Sequence, residues 1–167
     1  MKSGAVFFSC MALWGCGGGD DDDKPSFPDS QLCGLRIQVT GAFEAKLDGK
    51  DGGTTCSGHT IPGEITANFV PYDPLLSEFR MTIAGEKGVT GKQLPTRVSV
   101  SNLSNLWSTS NCTVDIFEYR FVETKDSVDQ YRMVGSGRCT TPASNYDGTG
   151  DPLEIGGYEF VVGKWQF

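Results

Sequence analysis

The stretch NCTVDIFEYRFVETKDSVDQYRMVGSGRC, residues 111–139, decides the fold of this chain. It consists of two largely apolar halves around the polar segment ETKDS. Folding it symmetrically about Lys125 and Asp126 places Cys112 opposite Cys139. Directly opposed residues of an antiparallel pair have Cβ atoms about 4.5–5.5 Å apart, which is close to what a disulfide requires. The sequence therefore predicts a hairpin joined by a Cys112–Cys139 bond.

The same folding predicts which other residues face each other across the hairpin. Val114 faces Gly137, and Ile116 faces Gly135. Because the two glycines are small, we expect a neighbouring aromatic side chain such as Tyr131 to fold over them. A slip of one residue would turn every side chain to the opposite face, so the disulfide also fixes the register.

Two further cysteines, Cys33 and Cys56, remain in the same part of the chain, and by elimination they form the second disulfide. An even number of cysteines in an exported chain is typical of a disulfide framework. A zinc site is the alternative, but the sequence has no C-x-x-C pair and His59 is its only histidine. We therefore expect no metal and no other cofactor.

Strand-like alternation continues outside the hairpin. Apolar residues occupy the odd positions of residues 35–47, which predicts a long, half-buried strand that bends at Gly41. The turn residues 48–53 then predict a hairpin loop. Further short strands are predicted at residues 65–69, 79–83, 96–100 and 158–167, the last with a bulge around Gly163.

These short strands, separated by turns and without a helical period, predict an all-β domain. We expect an antiparallel β-sandwich of about eight strands, with an eight-stranded β-barrel as the alternative. Pairing between the first and last strands would favour the barrel. The terminal Phe167 resembles the end of an outer-membrane barrel, but charged residues such as Arg36 and Arg80 on the strands favour a domain outside the bilayer.

The amino-terminal residues indicate the cellular location of the protein. Residues 4–13, GAVFFSCMAL, form an apolar core of signal-peptide length, too short to span a bilayer. Leu13 and Gly15 precede Cys16, and this pattern resembles the lipobox of bacterial lipoproteins. The resemblance implies that residues 1–15 are a signal peptide and that Cys16 is acylated. An ordinary secretory signal is the alternative.

Residues 16–31 read as a tether between the lipid and the folded domain. Three glycines and four aspartates follow Cys16, and they favour a flexible, self-repelling spacer over a calcium site. Fifteen extended residues reach about 50 Å. The folded domain is then predicted at residues 32–167.

The net charge and the residue after Cys16 indicate which partners and which membrane to expect. The chain has 14 basic and 21 acidic residues, a net charge of −7, and this balance argues against a nucleic-acid partner. The predicted partners are the membrane, through the lipid, and a carbohydrate or an envelope protein. Gly17 follows the cysteine where an Asp would resemble an inner-membrane retention signal, so we expect the outer membrane of a bacterial cell envelope.

The most site-like segment is the predicted loop at residues 101–111. Asn102, Asn105, Trp107 and Asn111 combine an indole with amides, which suits a sugar whose ring face stacks while its hydroxyls form hydrogen bonds. The alternative is that Leu103, Leu106 and Trp107 cap one end of the core.

No catalytic residue can be assigned. His59 lies in a turn-like segment, and an exposed loop position explains it better than a role as a general base. Paired carboxylates could support glycoside hydrolysis. The candidates near strands are Glu44, Glu64, Asp115, Glu118 and Glu159, although Glu118 reads as a strand-end residue.

The leading functional hypothesis is an anchored lipoprotein whose β domain binds or scaffolds without catalysis. A carbohydrate-active enzyme that uses two of these carboxylates is the second hypothesis. Small-ligand carriage inside a barrel is the third. It is suggested by ten phenylalanines and by an apolar strand at residues 112–122.

Overall fold

The computed structural model describes residues 24–50, 52–163 and 165–166. Cys16, the predicted signal peptide and the first part of the predicted tether lie outside these residues. The described chain forms β-strands and no helix, so the prediction of an all-β protein is confirmed. The strands are β1 Cys33–Gly41, β2 Ala45–Asp48, β3 Thr54–Ile61, β4 Glu64–Pro71, β5 Glu78–Ala84, β6 Gly91–Ser101, β7 Leu106–Lys125, β8 Val128–Cys139, β9 Ser144–Asn145, β10 Leu153–Gly163 and β11 Trp165–Gln166.

All eleven strands of the described chain belong to one curled sheet. Its order is β11-β3-β4-β5-β6-β7-β8-β10-β1-β2, and β9 pairs with β7. Every pairing is antiparallel except that of β11 with β3. β1 pairs with β10, the last long strand, and β11 follows β10 directly along the chain. The sheet therefore curls until its final strand contacts β3.

The β7–β8 hairpin has the predicted cysteine bond and the predicted pairing at its open end. Cys112 is bonded to Cys139. Val114 lies opposite Gly137 and Ile116 lies opposite Gly135, so this part of the register is confirmed. In the sheet, β7 lies between β6 and β8.

The register at the turn differs from the prediction. Asp126 and Ser127 form a two-residue turn with φ of 52° and 64°, where Lys125 and Asp126 were expected. Phe117 and Val122 have no partner in β8, because each is the extra residue of a bulge. Each bulge shifts the pairing of β7 with β8 by one residue, and together they account for the different register at the turn.

The aromatic cover of the two glycines was also predicted wrongly. A Cβ atom on Gly135 would lie 2.5 Å from the ring of Phe160, and one on Gly137 would collide with the ring of Tyr158. Tyr131 instead lies opposite Phe121, further towards the turn. The glycines therefore make room for side chains of β10, which pairs with β8 on its other side.

Residues 35–47 do not form one bent strand. Gly41 has φ of 106°, and the chain reverses after it so that β2 pairs with β1. A left-handed φ is easy for glycine and costly for other residues. The loop after β2 was predicted to close a hairpin, but β2 and β3 are not neighbours in the sheet.

The second disulfide joins β1 to β3 and confirms the Cys33–Cys56 prediction. β3 itself was not predicted. Its partly or fully buried positions are Thr54, Cys56, Gly58 and Thr60, so it lacks the apolar alternation that identifies the other strands.

The core fills the inner face of the curled sheet. Nearly every long strand contributes alternate residues to it, and its largest rings are Phe69, Phe79, Tyr158 and Phe160. Ring centroids in this group lie 5.2–6.2 Å apart. Contacts at these distances are typical of packed aromatic pairs.

The outer face is partly covered by residues 24–32, here called the strap. Arg132 of β8 is only 1% exposed and holds this segment. Its Nε donates to the carbonyl of Gln31 at 3.1 Å, and its second terminal nitrogen donates to the carbonyls of Pro28 at 3.1 Å and Phe27 at 3.3 Å. Residues 24–31, placed in the tether by the sequence analysis, therefore pack against the sheet.

Apolar contacts support the strap as well. Phe27 packs with Val134 and Val161, which point outward from β8 and β10. The Arg36 guanidinium lies 4.4 Å from the centre of the Phe27 ring. The strap thereby removes from water an apolar part of the outer face.

Candidate functional site

Trp107, the aromatic residue of the predicted ligand loop, lies in the core. Its side chain is 3% exposed, and its indole Nε1 donates to the carbonyl of Asp151 at 3.1 Å. Its ring centre lies 5.3 Å from that of Phe43. The indole therefore caps one end of the core and does not offer a ring face to a ligand.

The three asparagines of that segment do not converge on one site. Asn102 Oδ1 accepts hydrogen bonds from the amides of Ser104 and Asn105, at 3.0 and 2.9 Å, and so forms a tight turn. Asn111 belongs to β7, and its amide donates to Thr141 Oγ1 at 3.0 Å. It lines a separate polar cleft of about 330 Å³.

Two of the candidate catalytic residues, His59 and Glu118, lie on different strands and form no common site. His59 is exposed as predicted, but it lies on β3 and not in a loop. Glu118 lies within β7 and not at a strand end. The Phe117 bulge changes the phase of β7, which turns Glu118 to the outer face beside Arg132.

Glu118 is the centre of a charge cluster beneath the strap. Its carboxylate accepts from Arg132 at 2.5 Å and from Arg120 at 2.7 Å, and Lys24 lies 3.5 Å away. Burial alone would raise the pKa of this carboxyl group, but the hydrogen bonds from the two arginines outweigh burial and hold the pKa below its ordinary value. The Glu118 carboxylate therefore has a structural role, as the partner of these cations.

The outer face also contains a continuous depression, here called the polar trough. It consists of three adjoining cavities of about 340, 640 and 400 Å³. The first two share Gln38 and Lys46, and the last two share Ser136, Gly137 and Arg138. The trough crosses β2, β1, β10, β8, β7 and β6. Strands spaced about 4.8 Å apart give it a length of about 24 Å.

Small residues create the trough. Gly157 on β10 is exposed, and the nearest atom to a Cβ built on it is the carbonyl of Gly137 at 3.9 Å. Ser136 on β8 is the next small side chain along the floor. The lack of large side chains therefore leaves a depression in this part of the outer face. Beside Val134 and Val161, in contrast, the strap covers the outer face.

The walls of the trough carry several charged groups, some of which neutralise each other. Arg36 donates to Glu159 at 2.7 Å. Three cations on the walls, namely Lys46, Lys92 and Arg138, form no ion pair with any residue of the described ranges. These cations are the groups with which a ligand could pair.

The sequence did not lead us to predict the trough, although part of it could have been predicted. The predicted hairpin register already places Thr113 opposite Arg138 and Asp115 opposite Ser136, on the face away from the core. Alternation along the hairpin was the available signal. Arg36 and Lys46 could not be added, because their position depends on the pairing of β1 with β10.

Tyr158 lies directly beneath the trough. Its side chain is 1% exposed, and its hydroxyl has no hydrogen-bond partner among the described residues. Burial raises the pKa of this hydroxyl. Tyr158 therefore stays neutral at physiological pH and serves as part of the core.

Comparisons with protein-family models, with curated proteins and with solved structures give no match. No helix of the described residues has the length and apolar character needed to cross a membrane. Within the same residues, no group of three or more His, Cys, Asp or Glu side chains is placed to hold a metal ion.

Proposed function

We propose that the protein is a bacterial envelope lipoprotein, anchored in the outer membrane through Cys16, whose β domain binds an extended polysaccharide. The polar trough is the observation that carries this proposal, because it offers a long, shallow surface with charged and polar side chains along its walls. Two disulfides fit an oxidising, exported environment. The lipobox-like pattern supplies the anchor.

A polysaccharide suits the trough better than an envelope protein does. The centre of a protein interface is rich in aromatic residues and poor in charged ones. The 640 Å³ cavity has apolar residues such as Ile37 and Leu47 in its lining, but charged side chains such as Lys46 lie beside them. Peptides that add to a sheet require an exposed strand edge, whereas the trough crosses the face of paired strands. The lining supplies both donors, such as Lys46 and Arg138, and acceptors, such as Glu159, which sugar hydroxyls can meet.

Binding is tested by filling the trough. In Gly157→Phe the nearest atom to the new Cβ lies at 3.9 Å, so the backbone has room for the Cβ, and we expect the ring to fill the trough. In a panel of purified polysaccharides, wild type should bind at least one, and Gly157→Phe should weaken that binding at least about tenfold, or about 1.4 kcal/mol. The Arg97→Gln variant, altered outside the trough, is the control. Retained binding by Gly157→Phe would refute the site.

Carbohydrate cleavage is the second candidate, because Asp115 and Glu159 both line the trough. Two carboxylates across a sugar chain are the groups that glycoside hydrolysis requires. Release of reducing ends in the same panel, abolished by Asp115→Asn or Glu159→Gln, would favour the enzyme over the binding protein. Carriage of a small ligand has less support, since aromatic rings fill the inner face.

The anchor is tested at one residue. Cys16→Ser should abolish labelling by a fatty-acid probe and release the protein from the membrane fraction, because this sulfur carries the acyl group. Cys10→Ser is the control and should change neither result. Unchanged membrane retention of Cys16→Ser would refute the lipid anchor.

For the architecture, we propose the closed eight-stranded barrel over the two-sheet sandwich. The pairing of β1 with β10 and of β11 with β3 supports closure. Hydrogen exchange tests it at the part of β3 that pairs with β11: amides at Gly58 and His59 that are directed away from β4 should be protected if the sheet is closed. Rapid exchange of those amides would favour the sandwich.

A further inference from the structure

We propose that the β6–β8 end of the polar trough recognises an anionic substituent, a carboxylate, sulfate or phosphate, carried by the polysaccharide. This inference rests on the proposed function and adds the ligand's charge to it. The recognising groups are Lys92 and Arg138. The space that they line, here called the anion pocket, has a volume of about 400 Å³.

The anion pocket is more enclosed than the rest of the trough. Besides the two cations, Thr113 and Ser136 line it and offer hydroxyl donors. Charge-assisted hydrogen bonds from Arg and Lys are about twice as strong as those between neutral groups.

The pocket contains one carboxylate, that of Asp115, and this group is hydrogen-bonded to the wall of the pocket. Asp115 Oδ1 accepts a hydrogen bond from the Gln93 amide at 2.5 Å. Gln93 has φ of 56°, a left-handed conformation that a non-glycine residue adopts only where surrounding contacts hold it. The hydrogen bond from Gln93 to Asp115 therefore holds the backbone of this wall in place. Lys92 precedes Gln93 in the sequence and lines the same wall.

Lys92 and Arg138 outnumber the single carboxylate of Asp115, so the net charge of the pocket is positive. Lys92 and Arg138 lie on β6 and β8, with β7 between them, so the two cations approach the pocket from opposite sides. Neither forms an ion pair within the described ranges of the chain. This arrangement suits one anionic group between the two strands, in a protein whose overall charge is −7.

The experiment uses the full mature chain and one polymer backbone in three forms: dextran, carboxymethyl-dextran and dextran sulfate. Wild type should bind at least one charged form about tenfold or more tightly than dextran. The Lys92→Gln/Arg138→Gln variant should lose that preference, while its affinity for dextran changes less than about twofold.

A charge-matched control separates the pocket from general attraction. Arg97→Gln/Lys125→Gln removes two cations elsewhere on the surface and should keep the preference. An equal loss in both double variants, or equal affinity of wild type for all three dextrans, would overturn the anion pocket. Equal affinity would leave the binding of polysaccharide intact, so the two proposals fail separately.

A lipid headgroup could present the same anion, and a further arm distinguishes this source. The Cys16→Ser chain, which lacks the acyl group that would insert into any bilayer, is tested in a flotation assay with vesicles of phosphatidylglycerol and with vesicles of phosphatidylcholine. The polysaccharide proposal expects equal flotation with both. Selective binding to phosphatidylglycerol vesicles, lost in Lys92→Gln/Arg138→Gln and not accompanied by binding to charged dextran, would overturn it.

Discussion

Gly135 and Gly157 lie on neighbouring strands, yet the same substitution should affect them very differently. A Cβ on Gly135 would lie 2.5 Å from Phe160 and 2.6 Å from the carbonyl of Asp115, so neither the ring nor the backbone can move away easily. Gly135→Ala should lower the free energy of unfolding by about 1–3 kcal/mol through overpacking. Gly157→Ala, with its nearest atom at 3.9 Å, should change it by less than about 0.5 kcal/mol.

Urea unfolding followed by circular dichroism measures both variants under the same conditions. Similar losses in the two variants would contradict the difference in packing. The sequence alone predicted that the hairpin glycines leave room for a ring. It could not predict which ring, because Tyr158 and Phe160 reach them through the pairing of β10 with β8, which no local pattern reveals.

At the scale of elements, the β7–β8 hairpin depends on its disulfide. The Cys112–Cys139 bond closes a loop with a sequence separation of 27, so Cys112→Ala/Cys139→Ala should cost about 3–4 kcal/mol of stability in the chain-entropy description. Cys33→Ala/Cys56→Ala, with a separation of 23, should cost a similar amount. Chemical denaturation of the two double variants measures both losses. A difference of more than about 1 kcal/mol would show that native contacts, and not loop closure, dominate one of them.

The bulges and β3 show why some elements could be predicted and others could not. The apolar phase of β7 changes at Phe117, and this change is visible in the sequence. A strand that is apolar on both faces would show the same pattern, but the structure has a bulge at this position. β3 gives no comparable signal, because the Cys33–Cys56 bond and its pairing with β4 define it, and its own side chains are mostly polar.

At the scale of the whole molecule, the strap depends on the pairing of Glu118 with Arg132. Glu118→Gln leaves a guanidinium that is 1% exposed without its counter-charge, and should cost about 3 kcal/mol at neutral pH. Glu159→Gln is the matched control. Its partner Arg36 is partly exposed, so the loss should stay within about 0.5 kcal/mol.

The pH dependence of that loss follows from the lowered pKa of Glu118. A carboxyl group whose pKa is lower in the folded state stabilises the fold above its unfolded pKa, and this stabilisation disappears as the pH falls through the folded pKa. The advantage of wild type over Glu118→Gln should therefore be complete at pH 7 and shrink below about pH 4. Denaturation across this range measures it, and an advantage independent of pH would argue against the ion pair.

The strap and the Cys33–Cys56 bond also determine how the anchored domain would respond to mechanical force. A pull on the amino terminus first acts on the hydrogen bonds between Arg132 and the strap, which can break and form again. Release of residues 24–32 adds about 30 Å of extended chain. The covalent bond at the start of β1 then carries the load, because it joins that strand to β3. The domain would therefore extend by a limited length under tension while its sheet stays folded.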